Sequence, residues 1–139
     1  MTGLGPNFNS NESKKIIADA LKNMPNINGK LLFHCAEGKD RTGFVCALVE
    51  ALADANYDEI EADYMKTYDN YYHINKKDTP DKYNAVIEAY FLDIMETISG
   101  EKDEGKMKKA NLKAGAINYL QSCGLTDSTI EKIILSCTE

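Results

Sequence analysis

The sequence predicts a single, mostly α-helical domain with one clear β-strand, and three observations lead to this prediction. The chain has 139 residues, which matches one domain, since domains commonly hold about 100–200 residues. Apolar residues recur at helical spacing through most of the chain. One short continuous apolar run, at residues 30–34, follows a turn and is typical of a buried strand. We therefore predict one domain over residues 1–139.

The first part of the chain is expected to run from coil to helix to strand. Residues 1–10 contain Gly, Pro and Asn without any periodicity, which predicts a coil. Residues 11–24 carry apolar side chains at helical spacing and predict a first amphipathic helix. The pair Asn28-Gly29 predicts a turn before the strand at residues 30–34.

The remainder of the chain predicts further helices with recognisable ends. Asp58, with Glu61 three residues later, is expected to cap one helix that continues through Tyr72. Pro80 suits the first position of the next helix, and Gly100 suits its stop. The charged residues 101–106 predict a linker. The other predicted helices cover residues 42–53, 107–123 and 126–137.

Charge and hydropathy exclude two classes of partner. The formal net charge of -6 and pI near 5.0 argue against nucleic acid as a partner, because binding its phosphates needs a basic surface. No apolar run reaches the ~20 residues that span a bilayer. The start of the chain lacks a signal-peptide pattern. We predict a cytoplasmic protein without a membrane span, and secretion stays open if the natural N-terminus lies upstream.

The four cysteines predict a thiol function rather than a metal site. They are dispersed, without the paired spacing that zinc needs, so no metal and no cofactor is expected. Cys46, Cys123 and Cys137 lie within or beside helical apolar patterns and are expected to act as small hydrophobic residues. Cys35 stands apart from them because of the residues around it.

The residues that carry the chemistry form the segment 34–43, called here the signature segment. It has the form H-C-x-x-G-x-x-R-T-G and lies between the predicted strand and a predicted helix start. A short loop in this context can point its backbone N–H groups at one anion, and the helix dipole adds to the attraction. Gly38 allows backbone conformations that other residues resist. Ala36, Glu37, Gly38 and Lys39 would line this phosphate site together with the residues that follow.

Physical chemistry assigns the main roles. Backbone amides, the helix N-terminus and Arg41 would stabilise the thiolate of Cys35 and make it a nucleophile. Arg41 offers a planar fork that matches two phosphate oxygens. Thr42 can donate a hydrogen bond to the thiolate when it leaves the phosphocysteine intermediate. His34 and Gly43 are expected to order the loop. These roles predict a metal-free phosphomonoesterase.

The signature segment resembles that of the protein tyrosine phosphatase superfamily. Its fuller form, H-C-x-x-G-K-D-R-T-G, resembles a bacterial branch whose members also accept phosphoserine, phosphothreonine or phosphoinositides. The resemblance implies an α/β fold and a phosphorylated protein or phosphoinositide as substrate. It also implies that Lys39 contacts a substrate phosphate and that Asp40 assists binding or proton transfer.

The chain departs from that superfamily before Cys35. There the general acid, usually an aspartate, and most of the sheet come from upstream residues, whereas only 34 residues precede Cys35 here. Asp19 is the lone aspartate among them and is expected in mid-helix. Either Asp40 is the acid, or the acid belongs to sequence outside this chain. We therefore expect the C-terminal portion of a larger fold, or an oligomer that completes or swaps the sheet.

Two alternatives to a protein-tyrosine phosphatase stay open at this point. The first is a catalytically weak phosphate-binding module or a truncated phosphatase remnant, which the missing upstream acid suggests. The second is a phosphoinositide phosphatase, which would use the same residues on a lipid headgroup. The sequence does not rank these substrates.

Overall fold

A computed structural model describes residues 8–24 and 41–138 of the chain, and these residues are helical with short connections. A π-helical segment, Ile87–Phe91, joins two of the helices into one continuous rod. The helices are α1 (Asn11–Lys22), α2 (Arg41–Leu52), α3 (Tyr57–Tyr72), α4 (Pro80–Val86), α5 (Leu92–Ser99), α6 (Glu104–Lys109), α7 (Leu112–Ser122) and α8 (Asp127–Thr138).

The expectation of an α/β fold is wrong for the part of the chain that the structure describes. Residues 8–24 and 41–138 contain helices and connections and no strand. The physical reason is visible in the pattern, because the apolar residues of these segments recur at the helical period and none shows the alternation of a strand. The sheet was expected only from the resemblance. The strand predicted at residues 30–34 lies outside the described residues.

Several predicted helix ends are confirmed with their caps. Helix α1 begins at Asn11, where the Ser10 hydroxyl accepts a hydrogen bond from the Ser13 backbone N–H at 3.1 Å. Pro80 is the first residue of α4. Gly100 ends α5 with a φ of 75°, in the left-handed region where glycine fits without strain.

Three predictions about helix boundaries are wrong. Asn56, not Asp58, caps α3: its side chain accepts from the Glu59 N–H at 2.9 Å, and the Glu59 carboxylate accepts from the Asn56 N–H at 3.4 Å. The predicted linker at residues 101–106 contains the start of α6, which the Asp103 side chain caps. A break at Ala110, followed by a cap from Asn111, divides the helix predicted over residues 107–123.

Helix α2 forms the centre of the core. It packs against α7, α3, α8 and α5, and its apolar residues lie all around its circumference, which is the pattern of a helix buried on every side. The helices that surround α2 are amphipathic and turn their apolar sides inward. The buried apolar residues of α2 are Phe44, Val45, Ala47, Leu48, Ala51 and Leu52.

Aromatic contacts tie the first described residues to α2. The rings of Phe8 and Phe44 are stacked with their centroids 4.0 Å apart, and Tyr119 of α7 packs edge-on against Phe44 at 5.3 Å. The Tyr119 hydroxyl also donates a hydrogen bond to the Phe8 carbonyl at 2.6 Å. The segment before α1 is thereby anchored beside the first turn of α2.

Candidate active site

The structure describes only the last part of the signature segment. His34, Cys35, Ala36, Glu37, Gly38, Lys39 and Asp40 lie outside the described residues, as does the side chain of Arg41. The predicted nucleophile and its arrangement with the guanidinium therefore remain predictions. The structure does describe Thr42, Gly43 and the side chains of α2 and α3 that lie near them.

Helix α2 begins at Arg41, within the signature segment. The first four N–H groups of any α-helix lack partners within the helix, and the helix dipole places partial positive charge at that end. In a helix of 12 residues these groups form an electropositive end. The start of α2 thus has the features that attract an anion, in the position where the sequence predicted them.

Thr42 presents a hydroxyl at this helix start. The residue is only 6% exposed, and its Oγ1 atom has no hydrogen-bond partner among the described residues. A buried hydroxyl without a partner is costly, by roughly 1–3 kcal/mol. Such a group needs a partner from outside the described residues, and a bound ligand is one partner that would satisfy it. Thr42 is the one predicted site residue whose side chain the structure describes.

Gly43 allows close packing between α2 and α3. A Cβ atom built at this position would lie 2.7 Å from Cε2 and 3.0 Å from Cδ2 of Tyr64, closer than real carbon atoms approach. Tyr64 is itself only 6% exposed and lies between Tyr68 and Phe91 in the core. The ring of Tyr64 therefore fixes α3 against the first turn of α2, and only glycine fits beneath it.

A small cavity continues from Gly43 along the interface of α2 and α3. Its volume is about 50 Å³, and it is lined in part by Cys46, Glu50 and Asp63. Burial raises the pKa of Glu50 to about 8, and a hydrogen bond with Asp63 and the nearby charges of Asp63 and Glu59 act in the same direction. Glu50 therefore carries a proton at neutral pH.

None of the three cysteines in the described part of the chain has the environment of an activated nucleophile. Burial, together with the carboxylates of Glu50 and Asp63, raises the pKa of Cys46 to about 11. Burial is also the main cause that raises the pKa of Cys123 and of Cys137. All three are free thiols. They behave as the small hydrophobic residues that the sequence predicted.

Sequence reasoning missed Glu50 and its contact with Asp63, although a signal was present. Glu50 is the only acidic residue in the sequence of α2, and a single carboxylate in an otherwise apolar buried helix indicates a specific partner.

Asp19 lies in mid-helix in α1, as predicted, and is exposed.

The described residues contain neither a group of metal ligands nor a membrane-spanning helix. Within residues 8–24 and 41–138, no three His, Cys, Asp or Glu side chains are grouped so that they could hold a metal ion. None of the described helices combines the length and the apolar character that crossing a bilayer requires.

The model of a family described as the tyrosine phosphatase family matches residues 6–139. This match includes the complete signature segment and all of the described helices. Neither a curated protein nor a solved structure gives a significant match to the chain.

Proposed function

We propose, from the premise that the chain belongs to the tyrosine phosphatase family, that it hydrolyses phosphotyrosine in proteins through a covalent phosphocysteine intermediate. Family membership supports a phosphatase, a hydrolase of phosphoric monoesters. The nucleophile, the intermediate and the choice of phosphotyrosine are the parts that we propose.

One observation carries the proposal: Arg41 of the signature segment is the first residue of α2. A cysteine six residues before a helix start can lie in a loop whose amides point toward the same anion as the helix end. The pKa of a thiol in such a position falls, so that the thiolate forms at neutral pH. Cys35 would then be the nucleophile.

In the proposed first step, the Cys35 thiolate attacks the phosphorus atom of the substrate. The S–P bond forms while the bond from phosphorus to the phenolic oxygen breaks, and the leaving oxygen takes up a proton. Arg41 and the backbone amides at the start of α2 would bind the equatorial phosphate oxygens, where charge develops in the transition state. Lys39 would add a positive charge to the same site.

In the proposed second step, water attacks phosphorus and releases inorganic phosphate, and the S–P bond breaks to restore the thiolate. Thr42 supports this step, because its buried hydroxyl has no acceptor among the described residues. A hydrogen bond from this hydroxyl to sulfur would stabilise the leaving thiolate. We propose Asp40 as the group that exchanges the proton in both steps.

A second candidate function is phosphate binding with weak catalysis, which would follow if no general acid reaches the substrate. Asp19 is the only aspartate before Asp40, and it is exposed on α1, where it faces the turn between α7 and α8. Removing a general acid typically lowers turnover by 10²–10⁴-fold. If Asp40 does not supply the proton, binding would persist while turnover of poor leaving groups would be lost.

Hydrolysis of p-nitrophenyl phosphate by the full chain tests the mechanism. We expect Cys35→Ser to abolish turnover and Arg41→Lys to lower it by about 10²–10³-fold, since a point charge replaces a matched fork. Cys46→Ser is the matched control, because that thiol stays protonated, and should retain activity. Rapid quenching should trap one phosphoryl group on Cys35. Full turnover in Cys35→Ser would overturn the proposal, whereas phosphate binding by an inactive wild type would favour the second candidate.

Leaving-group dependence tests the role of Asp40. The Asp40→Asn variant should lose about 10²–10⁴-fold on phosphotyrosine peptides but much less on p-nitrophenyl phosphate, whose leaving group needs no proton. An equal loss on both substrates would contradict acid catalysis by Asp40. A parallel series with phosphoinositide headgroups decides between phosphotyrosine and the phosphoinositide alternative by comparison of kcat/KM.

A further inference from the structure

We propose that the protein has a second anion site, separate from the signature segment, which binds a small organic molecule carrying at least two phosphate groups. The site is a groove of about 440 Å³ between α1 and the turn that joins α7 to α8. One wall carries Lys14, Lys15 and Lys22, and the other carries Gly124, Thr126 and Thr129. We call this feature the lysine groove.

The charge of the lysine groove is opposite to that of the whole protein. The chain has a net charge of -6, yet three lysines and a single carboxylate, that of Asp19, line this groove. The ion pairs found among the described residues involve Lys108 and Lys113 rather than these three lysines. The ammonium groups therefore remain available for an anion, and they attract it most strongly at low salt.

The ammonium group of Lys14 is positioned by an aromatic contact. It lies 5.9 Å from the centre of the Tyr119 ring, and Tyr119 is fixed by its hydrogen bond to the Phe8 carbonyl. A cation over a ring keeps its charge and can still bind an anion. Lys14 is half-buried, whereas Lys15 and Lys22 are exposed at the edge of the groove.

The second wall offers polar groups and leaves room for a ligand. Gly124 has a φ of 95° and adds no side chain to the wall. Thr126 caps the start of α8 by accepting from the Thr129 N–H at 3.2 Å, and the two hydroxyls are 3.0 Å apart. Asp127 in the same turn accepts a hydrogen bond from Gln121 at 2.8 Å and does not line the groove. The Thr126 hydroxyl donates to the Thr129 hydroxyl, so the Thr129 O–H is the hydroxyl donor of this wall that can turn toward an anion.

The spacing of the lysines indicates the class of ligand. Lys14 and Lys22 are eight residues apart on α1, which places their Cα atoms about 12 Å apart at 1.5 Å per residue. Three ammonium groups distributed along this length of helix match a ligand that carries several phosphate groups better than a single phosphate, which balances fewer of the positive charges. The volume of the groove lies in the range of about 300–1,000 Å³ that small-molecule sites occupy. A free molecule of this class and the headgroup of a lipid present the same chemistry to the groove.

Titration of inositol trisphosphate into the full chain tests the proposal. All variants carry Cys35→Ser, so that no ligand is consumed. We expect saturable binding that weakens as salt rises, and a loss of about tenfold or more in Lys15→Glu/Lys22→Glu. The matched control is Lys66→Glu/Lys102→Glu, which makes the same change in net charge at exposed positions outside the groove and should bind normally. Both pairs are exposed, so the fold should survive, and circular dichroism checks this.

Two further measurements complete the test. Arg41→Ala should leave this binding unchanged, because none of the residues that line the groove belongs to the signature segment. Vesicles containing phosphatidylinositol bisphosphate, compared with the soluble headgroup, show whether the source is a lipid or a free molecule. The proposal is overturned if no saturable binding occurs, if the control pair loses as much affinity as the groove pair, or if only Arg41→Ala abolishes binding.

Discussion

Helices α1 and α2 each contain 12 residues, but they contact the rest of the protein in opposite ways. In α1 only Ser13, Ile17 and Leu21 are buried, and its charged residues face outward. In α2 buried residues occur on all sides, and Glu50 is half-buried. The side chains of α1 are therefore available to a ligand. Those of α2 are constrained by packing, which holds the helix start behind the signature segment in place.

The largest expected difference between the two helices concerns truncation of a core side chain. Leu48 is completely buried in α2, with other helices on several sides, so the space left by Leu48→Ala cannot collapse. We expect this change to lower the free energy of unfolding by about 4 kcal/mol. Ile17→Ala in α1, which packs mainly against α7 and α8, should cost about 2–3 kcal/mol. Urea unfolding of both variants checks the comparison, and equal losses would contradict it.

The second prediction concerns the close approach of α3 to α2. Gly43→Ala gains about 1 kcal/mol of helix propensity but forces a methyl group against the Tyr64 ring, so we expect a net loss of about 1–2 kcal/mol. Tyr64→Leu removes the ring edge. In that background Gly43→Ala should be neutral or stabilising. If the loss in unfolding free energy is the same in both backgrounds, Tyr64 is not the reason for glycine at this position.

The contrast between α1 and α2 was largely predictable, since apolar periodicity located both helices to within a few residues. The start of α3 was not, because Asn56 with Glu59 and Asp58 with Glu61 offer equivalent caps two residues apart. In the structure Asn56 caps the helix. The Tyr57 ring lies in the core, with its centroid 5.5 Å from that of the Phe91 ring. That contact depends on the tertiary structure, and local sequence does not reveal it.

The linker predicted at residues 101–106 failed for a related reason. Its charges suggested a solvated connection, but Asp103 serves as a helix cap and Met107 is buried, which anchors the short helix α6. The sheet was expected only by analogy, and the described helical segments do not contain it. For the site, apolar periodicity predicted a helix from residue 42, one residue after its observed start at Arg41. The contacts of Tyr64 and Glu50 with their neighbours depend on the packing of α3 against α2.

The smallest expected effect is a pH dependence of the free energy of unfolding, which arises from the half-buried carboxyl group of Glu50 in α2. The pKa of Glu50 is about 8 in the folded protein, against an ordinary value of 4.5, so the folded state holds a proton that the unfolded chain releases. The free energy of unfolding should therefore decrease as pH rises from about 4.5 to about 8 and then level off. Because the carboxyl is only half-buried, solvent screening limits the loss to about 1 kcal/mol.

The Glu50→Gln variant should lack this decrease, since its amide stays neutral and can still donate a hydrogen bond to Asp63. Urea unfolding across pH 4–9 should therefore show the two proteins converging at low pH and the variant more stable by about 1 kcal/mol at high pH. Glu131→Gln, at an exposed position on α8, controls for the loss of one charge. Parallel profiles for wild type and Glu50→Gln would show that burial in α2 does not hold the proton. The difference between α1 and α2 would then lie in side-chain packing alone and would not extend to the protonation of Glu50.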